Sequence, residues 1–306
     1  MIWQLSREKS GVTEFTFYVP GSRHYDNGFY TNRPSSFANI SISGTECQCR
    51  CDHCDGQLLK HMLAATTPAA LVRLAEGLCR DGCRGVLISG GAWSDGSVPL
   101  LPFVSALQEI GEMGLSVVVH PGLLDEKTAV ALAEAKVNGV ALDLIGDVDT
   151  IRKVYHLKHT PDDYRRSLRA ARKAGLRAMP HIVAGLHYGE IRGEYSALDM
   201  VASEGASCLI FVVLHPLAGT KMQAVNPPEP REIEKLFRTA RERLPELPLM
   251  LGCARPPGQY AREVERLAVD AGFSSIVYPA RETVSYVQSL GYTVTYVESC
   301  CGTLPA

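Results

Sequence analysis

Four cysteines lie close together near residue 50, and their spacing suits a metal cluster. Cys47, Cys51 and Cys54 follow the pattern Cys-x3-Cys-x2-Cys. Three thiolates at this spacing can ligate three irons of a [4Fe–4S] cubane and leave the fourth iron open for another ligand. Cys49 lies between them, but the pattern is complete without it, so we predict that Cys49 takes no part in the site.

Zinc and disulfides are the other fates of closely spaced cysteines. The chain has 10 cysteines and begins without the basic and apolar pattern of a secretion signal, which argues against disulfides. Cys-x2-Cys with the adjacent His53 is also a zinc spacing, and zinc is therefore the alternative. A structural zinc site usually adds a second, distant pair of ligands, and zinc would not explain why the loop follows a strand, so we favour the cluster.

The rest of the chain predicts a parallel β/α barrel that would position this loop. From about residue 38 onward, β-branched apolar runs alternate with amphipathic helical patterns, which is typical of parallel strands joined by right-handed crossovers. Eight runs predict an α/β fold, a (β/α)8 TIM-type barrel that is full or nearly closed: 39–43, 85–89, 116–120, 139–143, 177–183, 208–214, 248–251 and 274–278. The predicted organisation is an irregular N-terminal extension at 1–37, the barrel at 38–291 and a C-terminal tail at 292–306.

The cysteine loop directly follows the first predicted strand. In barrels of this type, functional groups lie at the carboxyl ends of the strands. The spacing and the position of the loop resemble those of the radical S-adenosylmethionine (SAM) superfamily. The resemblance implies that SAM binds the open iron of a [4Fe–4S] cluster, and that an electron delivered through this iron cleaves SAM to a 5′-deoxyadenosyl radical.

Residues after the second and fourth strands match the superfamily's SAM-binding positions. Ser89, Gly90 and Gly91 are similar to a Gly-Gly-Glu segment whose main-chain carbonyls receive the SAM ammonium group, and Ala92 stands where the acidic residue is expected. Asp143 ends the fourth strand, where a carboxylate can accept hydrogen bonds from the SAM ribose. The resemblance therefore implies that these residues bind the cofactor.

Two further positions would lie near the adenine of SAM. The segment after the fifth strand looks like the superfamily's adenine contact and supplies three predicted cofactor-binding residues, Gly185, His187 and Glu190. His53 stands where the superfamily often carries an aromatic residue, although it could equally be an ordinary loop residue. No residue is predicted as a catalytic acid or base.

Several segments resemble the two-component lipoyl synthases, a biotin-synthase-like branch of the superfamily. They are Phe17-Tyr18-Val19-Pro20 and the ranges 41–62, 143–147, 180–194 and 253–258. This resemblance implies insertion of sulfur at C6 or C8 of a protein-bound octanoyl group. The partners it implies are a homologous second subunit, an octanoylated carrier protein or peptide, and an electron donor such as ferredoxin or flavodoxin.

Sulfur insertion of this kind usually consumes an auxiliary iron–sulfur cluster. Cys253 follows the seventh strand, and Cys300 and Cys301 lie in a tail that could fold back over the barrel mouth. The resemblance makes them the predicted ligands of a second cluster, with Ser299 as a fourth, because lipoyl synthases use a serine near the C-terminus. Arg255 is a candidate for binding the SAM carboxylate or the substrate.

Composition argues against other classes of partner. Hydrophobic residues make up 46% and charged residues 21%, and the formal net charge is −2, so we expect no nucleic acid and no membrane partner. The expected location is the cytoplasm. Two alternatives remain: another biotin-synthase-like radical SAM enzyme of cofactor maturation or rearrangement, and a non-catalytic metal-binding partner subunit.

Overall fold

A computed structural model of the protein describes residues 14–301 and residue 303. Eleven parallel strands form one curled sheet in the order β11-β1-β10-β9-β8-β7-β6-β5-β4-β2-β3. Within the described residues β11 and β3 do not pair with each other, so the barrel is open. The predicted TIM-type α/β barrel is confirmed in this open form.

The strands and helices alternate along most of the chain. The strands are β1 Glu14–Tyr18, β2 Phe37–Ser41, β3 Leu63–Ala64, β4 Gly85–Ser89, β5 Ser116–Val119, β6 Gly139–Asp143, β7 Ala178–Ala184, β8 Leu209–Val213, β9 Leu249–Leu251, β10 Ser275–Val277 and β11 Thr293–Val297. The helices are α1 Pro68–Arg80, α2 Val104–Glu112, α3 Glu126–Glu134, α4 Val148–Val154, α5 Pro161–Lys173, α6 Glu194–Glu204, α7 Pro230–Arg243, α8 Gln259–Asp270 and α9 Arg281–Ser289. Two short 3-10 turns cover Gln57–His61 and Leu101–Phe103.

The N-terminal extension is not irregular throughout, and in this respect the sequence prediction is wrong. Residues 14–18 form β1, which pairs in parallel with both β10 and β11. Phe15 and Phe17 are buried in the main core, and Tyr18 is buried in the barrel interior. Burial of these aromatic side chains stabilises β1 in its position between β10 and β11.

Local signals explain the ends of several helices. Asp147 caps α4, because its carboxylate accepts a hydrogen bond from the Thr150 amide at 2.8 Å. Gly114 and Gly175 follow α2 and α5 with φ angles of 92° and 75°, a left-handed conformation that glycine adopts without steric cost.

Among the described residues, no helix is long and apolar enough to cross a lipid bilayer.

Candidate functional site

The cysteine loop begins directly after β2 and lines a cavity of about 460 Å³ at the carboxyl ends of the strands. All four of its cysteines, Cys47, Cys49, Cys51 and Cys54, contribute to the wall of this cavity. Such a position agrees with the rule that places barrel chemistry at this end. The sequence prediction that the loop lies at the barrel mouth is therefore confirmed.

Thiol chemistry in the loop suits a metal. The ligand atoms of Cys51, His53 and Cys54 lie within 4.8 Å of one another. A hydrogen bond from the Cys51 thiol lowers the pKa of Cys54 to about 4, and the neighbouring His53 acts in the same direction. The Nδ1 atom of His53 is buried and has no hydrogen-bond partner in the described part of the chain. Closely spaced cysteines on one cavity wall, with the thiolate form of Cys54 favoured, fit an iron–sulfur cluster.

Cys47 lies slightly apart from this group. Its thiol donates to the Ala92 carbonyl at 3.8 Å, so it contacts the segment that follows β4. His53 packs against Tyr155, with ring centroids 5.2 Å apart, and both rings line the cavity. Cys47 is therefore outside the group of ligand atoms within 4.8 Å of one another, although it lines the same cavity.

The glycine segment after β4 packs directly against the cysteine loop. Ser89, Gly90 and Gly91 all line the cavity. The Gly91 amide donates to the Ser43 hydroxyl at 2.7 Å, and the Gln48 amide donates to the Ala92 carbonyl at 2.9 Å. A side chain at Gly91 would meet the Glu46 carbonyl oxygen at 1.9 Å. Glycine is required here because two backbone segments approach each other closely.

Asp143 also lines the cavity and belongs to a cluster of titratable side chains at the ends of β5, β6 and β7. Its Oδ1 atom lies 3.5 Å from Nε2 of His120, which follows β5. Burial would raise the pKa of Asp143, but the charge of His120 holds it at about 2. His181 on β7 lies beside His120, and burial together with this neighbour lowers the pKa of His181 to about 4. At neutral pH the site thus presents an ionised carboxylate that can accept hydrogen bonds.

Gly185, His187 and Glu190 do not line this cavity. His187 lines a separate, smaller pocket, where its ring hydrogen-bonds Thr150 at 3.0 Å and Arg192 at 3.0 Å. The Gly185 amide donates to the buried Glu194 carboxylate at 2.7 Å. Glu190 is exposed. The structure therefore does not bring these three residues together with the cysteines, and their contact with adenine stays a prediction.

The described part of the C-terminal tail continues from β11 to Cys300 and Cys301. The sulfur atoms of Cys300 and Cys301 lie 3.9 Å apart, and Cys301 is buried in the barrel interior beside Cys208. Cys253 follows β9 and is accessible to solvent. Cys300 and Cys301 follow β11, so all three cysteines come after the carboxyl ends of parallel strands. Among the described residues, the group of ligand atoms that lie within 4.8 Å of one another includes none of these three cysteines.

Two other predicted residues have structural partners. The hydroxyl of Ser299 hydrogen-bonds Thr303. Arg255 is buried against Glu265 at 2.7 Å and also donates to the carbonyls of Gly252, Val277 and Tyr278. The prediction that Arg255 binds SAM or substrate is therefore wrong, because its donors are already used to join β9 and β10.

Sequence reasoning missed an anchor of the loop, the buried carboxylate of Asp52. It accepts hydrogen bonds from Tyr188 at 2.7 Å and from His156 at 2.8 Å, and it forms an ion pair with Lys221 at 2.8 Å. Burial alone would raise the pKa of Asp52, but these three donors hold it below the usual value. The partners come from segments that follow α4, β7 and β8, so no local pattern could have revealed them.

We expect the Asp52→Asn variant to hold its metal less tightly. The amide has no charge to pair with Lys221, and the loss of a charged acceptor at a buried position costs about 1–3 kcal/mol. The measurement is the rate of iron release to a chelator, which should rise in the variant. Asp55→Asn is the matched control, because Asp55 lies in the same loop with a side chain that is 46% exposed. Equal release rates for both variants and wild type would contradict the anchoring role.

The chain shares sequence and fold with known proteins. The profile described as "Radical SAM superfamily" matches residues 41–194, about half of the chain, and this range includes the cysteine loop, the glycine segment and Asp143. Biotin synthase of Synechococcus sp. (strain CC9902) is 30% identical over 169 residues, which is 54% of this chain and 49% of the relative. Biotin synthase of Syntrophotalea carbinolica is 27% identical over 216 residues, covering 68% of this chain and 64% of the relative.

The chain therefore spans less than two thirds of the length of these curated relatives. Among solved structures, HydG, a maturase of the [FeFe]-hydrogenase, superposes with a TM-score of 0.66 at 13% identity. The superposition covers 97% of this chain and 69% of HydG. At this identity the likeness concerns the fold alone.

Proposed function

The chain belongs to the radical SAM superfamily, and we propose that it is a sulfur-inserting member, a lipoyl synthase component that acts at C6 or C8 of a protein-bound octanoyl group. One observation carries this proposal. The cysteine loop that would hold the SAM cluster follows β2, and further cysteines follow β9 (Cys253) and β11 (Cys300 and Cys301), at the same carboxyl ends of the parallel sheet. Sulfur insertion requires a radical generator and a sulfur source at one site.

The cysteine loop would bind the first cofactor. Cys47, Cys51 and Cys54 would ligate the [4Fe–4S] cluster, which with bound SAM supplies a 5′-deoxyadenosyl radical. The main chain at Gly90 and Gly91 would receive the SAM ammonium group, and the ionised carboxylate of Asp143 would accept from the ribose hydroxyls. These assignments agree with the cavity that the residues line together.

The remaining wall of the cavity suits an apolar substrate. Its apolar side chains would exclude water from a carbon radical and contact an alkyl chain: Leu58, Leu59, Met62, Leu87, Val98, Leu123 and Leu157. Leu58 is 54% exposed at the rim, where a chain attached to a carrier could enter. An octanoyl group is a substrate of this character.

Cys253, Cys300 and Cys301 would hold the sulfur source. We propose that they ligate an auxiliary cluster, with Ser299 as a fourth ligand after release from Thr303. Both curated relatives are named biotin synthase, and that activity is theirs. Shared ancestry with them supports the proposal of sulfur insertion. The proposed partners are a homologous second subunit, an octanoylated carrier and a small electron-transfer protein.

The test is anaerobic incubation of the reconstituted protein with SAM, a reductant and an octanoyl-lysine peptide, with and without a candidate second subunit. We expect 5′-deoxyadenosine and a peptide that gains the mass of sulfur. The triple variant Cys253→Ala, Cys300→Ala, Cys301→Ala should form deoxyadenosine but no thiolated peptide. Cys83→Ala is the control, because Cys83 is buried after α1 and hydrogen-bonds the Gly85 carbonyl.

Two outcomes would overturn the proposal. If the wild-type protein holds iron for one cluster only, the sulfur source is absent, and an enzyme of cofactor maturation or rearrangement becomes the better assignment. If the reduced protein never cleaves SAM, with or without its partner, a structural metal-binding subunit is the better assignment.

A further inference from the structure

The motif spacing leaves Cys49 out. The structure nevertheless places it on the wall of the cavity that the three predicted iron ligands line. Side chains alternate along this part of the loop, so that Cys49 and Cys51 are buried whereas Gln48 and Arg50 are exposed. Cys49 is only 7% exposed and lines the same cavity as Cys47, Cys51 and Cys54. The cavity wall therefore contains four thiols, although three suffice for the motif.

The contacts of Cys49 are polar. Its thiol donates to the Trp93 carbonyl at 3.0 Å. Trp93 directly follows Ala92, whose carbonyl accepts from the thiol of Cys47, a predicted iron ligand. A buried cysteine that only fills space contacts aliphatic atoms, whereas the thiol of Cys49 makes a polar contact on the wall of the predicted cluster cavity.

We propose that Cys49 is an exchangeable fourth ligand, whose thiolate occupies the open iron of the [4Fe–4S] cluster until SAM binds. The proposal rests on the cluster site of the proposed function and is independent of its substrate. Tethering in the same loop gives the Cys49 sulfur a high effective concentration at the cluster. When the amino and carboxylate groups of SAM take the iron, the thiolate leaves with its electron pair, takes a proton from solvent, and donates to Trp93 as in this structure. No atom changes its oxidation state in this exchange.

The exchange would link cofactor binding to protection of the cluster. A cluster with four thiolate ligands presents no open iron to water or to small competing ligands. SAM must then displace an internal ligand, so its affinity is lower than the affinity of the same site without Cys49. Removal of Cys49 should therefore strengthen SAM binding and expose the cluster at the same time, two effects that a space-filling residue would not produce together.

The experiment compares anaerobically reconstituted wild type with Cys49→Ala and Cys49→Ser. Cyanide serves as the probe of an open iron, and the readouts are iron content, EPR of the reduced cluster, and SAM affinity by titration. Cys79→Ala is the control, because Cys79 lies on α1, away from the loop. None of these measurements uses the octanoyl substrate, so failure of the substrate assignment does not affect them.

We expect full iron content in both Cys49 variants, since three ligands remain. Without SAM, cyanide should alter the EPR spectrum of the Cys49 variants but not that of wild type or Cys79→Ala. SAM affinity should rise about ten-fold in Cys49→Ala, equivalent to about 1.4 kcal/mol. Equal cyanide response and equal SAM affinity in wild type and Cys49→Ala would overturn the proposal. So would failure of both Cys49 variants to bind iron, because an exchangeable ligand is not needed for assembly.

Discussion

Replacement of Cys54 by alanine is expected to reduce reductive cleavage of SAM to background. The pKa of Cys54 is lowered to about 4, and its sulfur lies within 4.8 Å of the ligand atoms of Cys51 and His53. Without its thiolate, one iron of the cluster would have no protein ligand. Cys47→Ala and Cys51→Ala should lose the activity for the same reason.

The measurement is 5′-deoxyadenosine formed from SAM under strong reductant, together with iron per chain. Wild type should bind about four irons at this site, and each of the three variants should bind far fewer. The Cys79→Ala variant should match wild type, because its thiol is remote from the cavity. Undiminished deoxyadenosine formation by any one of the three variants would refute the ligand assignment.

Replacement of Gly91 by alanine is expected to abolish the same activity by a steric route. The added Cβ would lie 1.9 Å from the Glu46 carbonyl oxygen and 2.6 Å from the Cα of Cys47. Both contacts are with backbone atoms, so no flexible side chain can move away to relieve them. The cysteine loop must therefore shift, which separates Cys47 from the other ligands and closes the groove along the glycine segment.

We expect Gly91→Ala to lose most of its cluster iron and about 1–3 kcal/mol of unfolding free energy. The checks are iron content, deoxyadenosine formation and thermal unfolding. Gly111→Ala is the matched control, because Gly111 lies on α2 and a Cβ there meets no atom within 4 Å. This control should be slightly more stable than wild type, by up to about 1 kcal/mol. A Gly91→Ala protein with normal iron and normal SAM cleavage would show that the contact with the loop is unimportant.

Local patterns in the sequence were enough to predict the cysteine loop and its scaffold. The spacing of Cys47, Cys51 and Cys54 depends only on residues within one loop, and the alternation of apolar strands with amphipathic helices is equally local. The position of the loop then followed, since parallel strands place their carboxyl ends at one edge of a barrel.

Long-range packing decided the rest. The partners of Asp52, which are His156, Tyr188 and Lys221, come from three separate loops that only the folded barrel brings together. The approach of Cys300 to the barrel interior likewise depends on β11 pairing with β1, a strand that the sequence reading left irregular. Side-chain periodicity reports which face of an element is apolar, but it carries no information on which distant segment covers that face. Cys49 shows the same limit, because its spacing excluded it from the motif whereas the folded loop places it on the wall of the same cavity as the three motif cysteines.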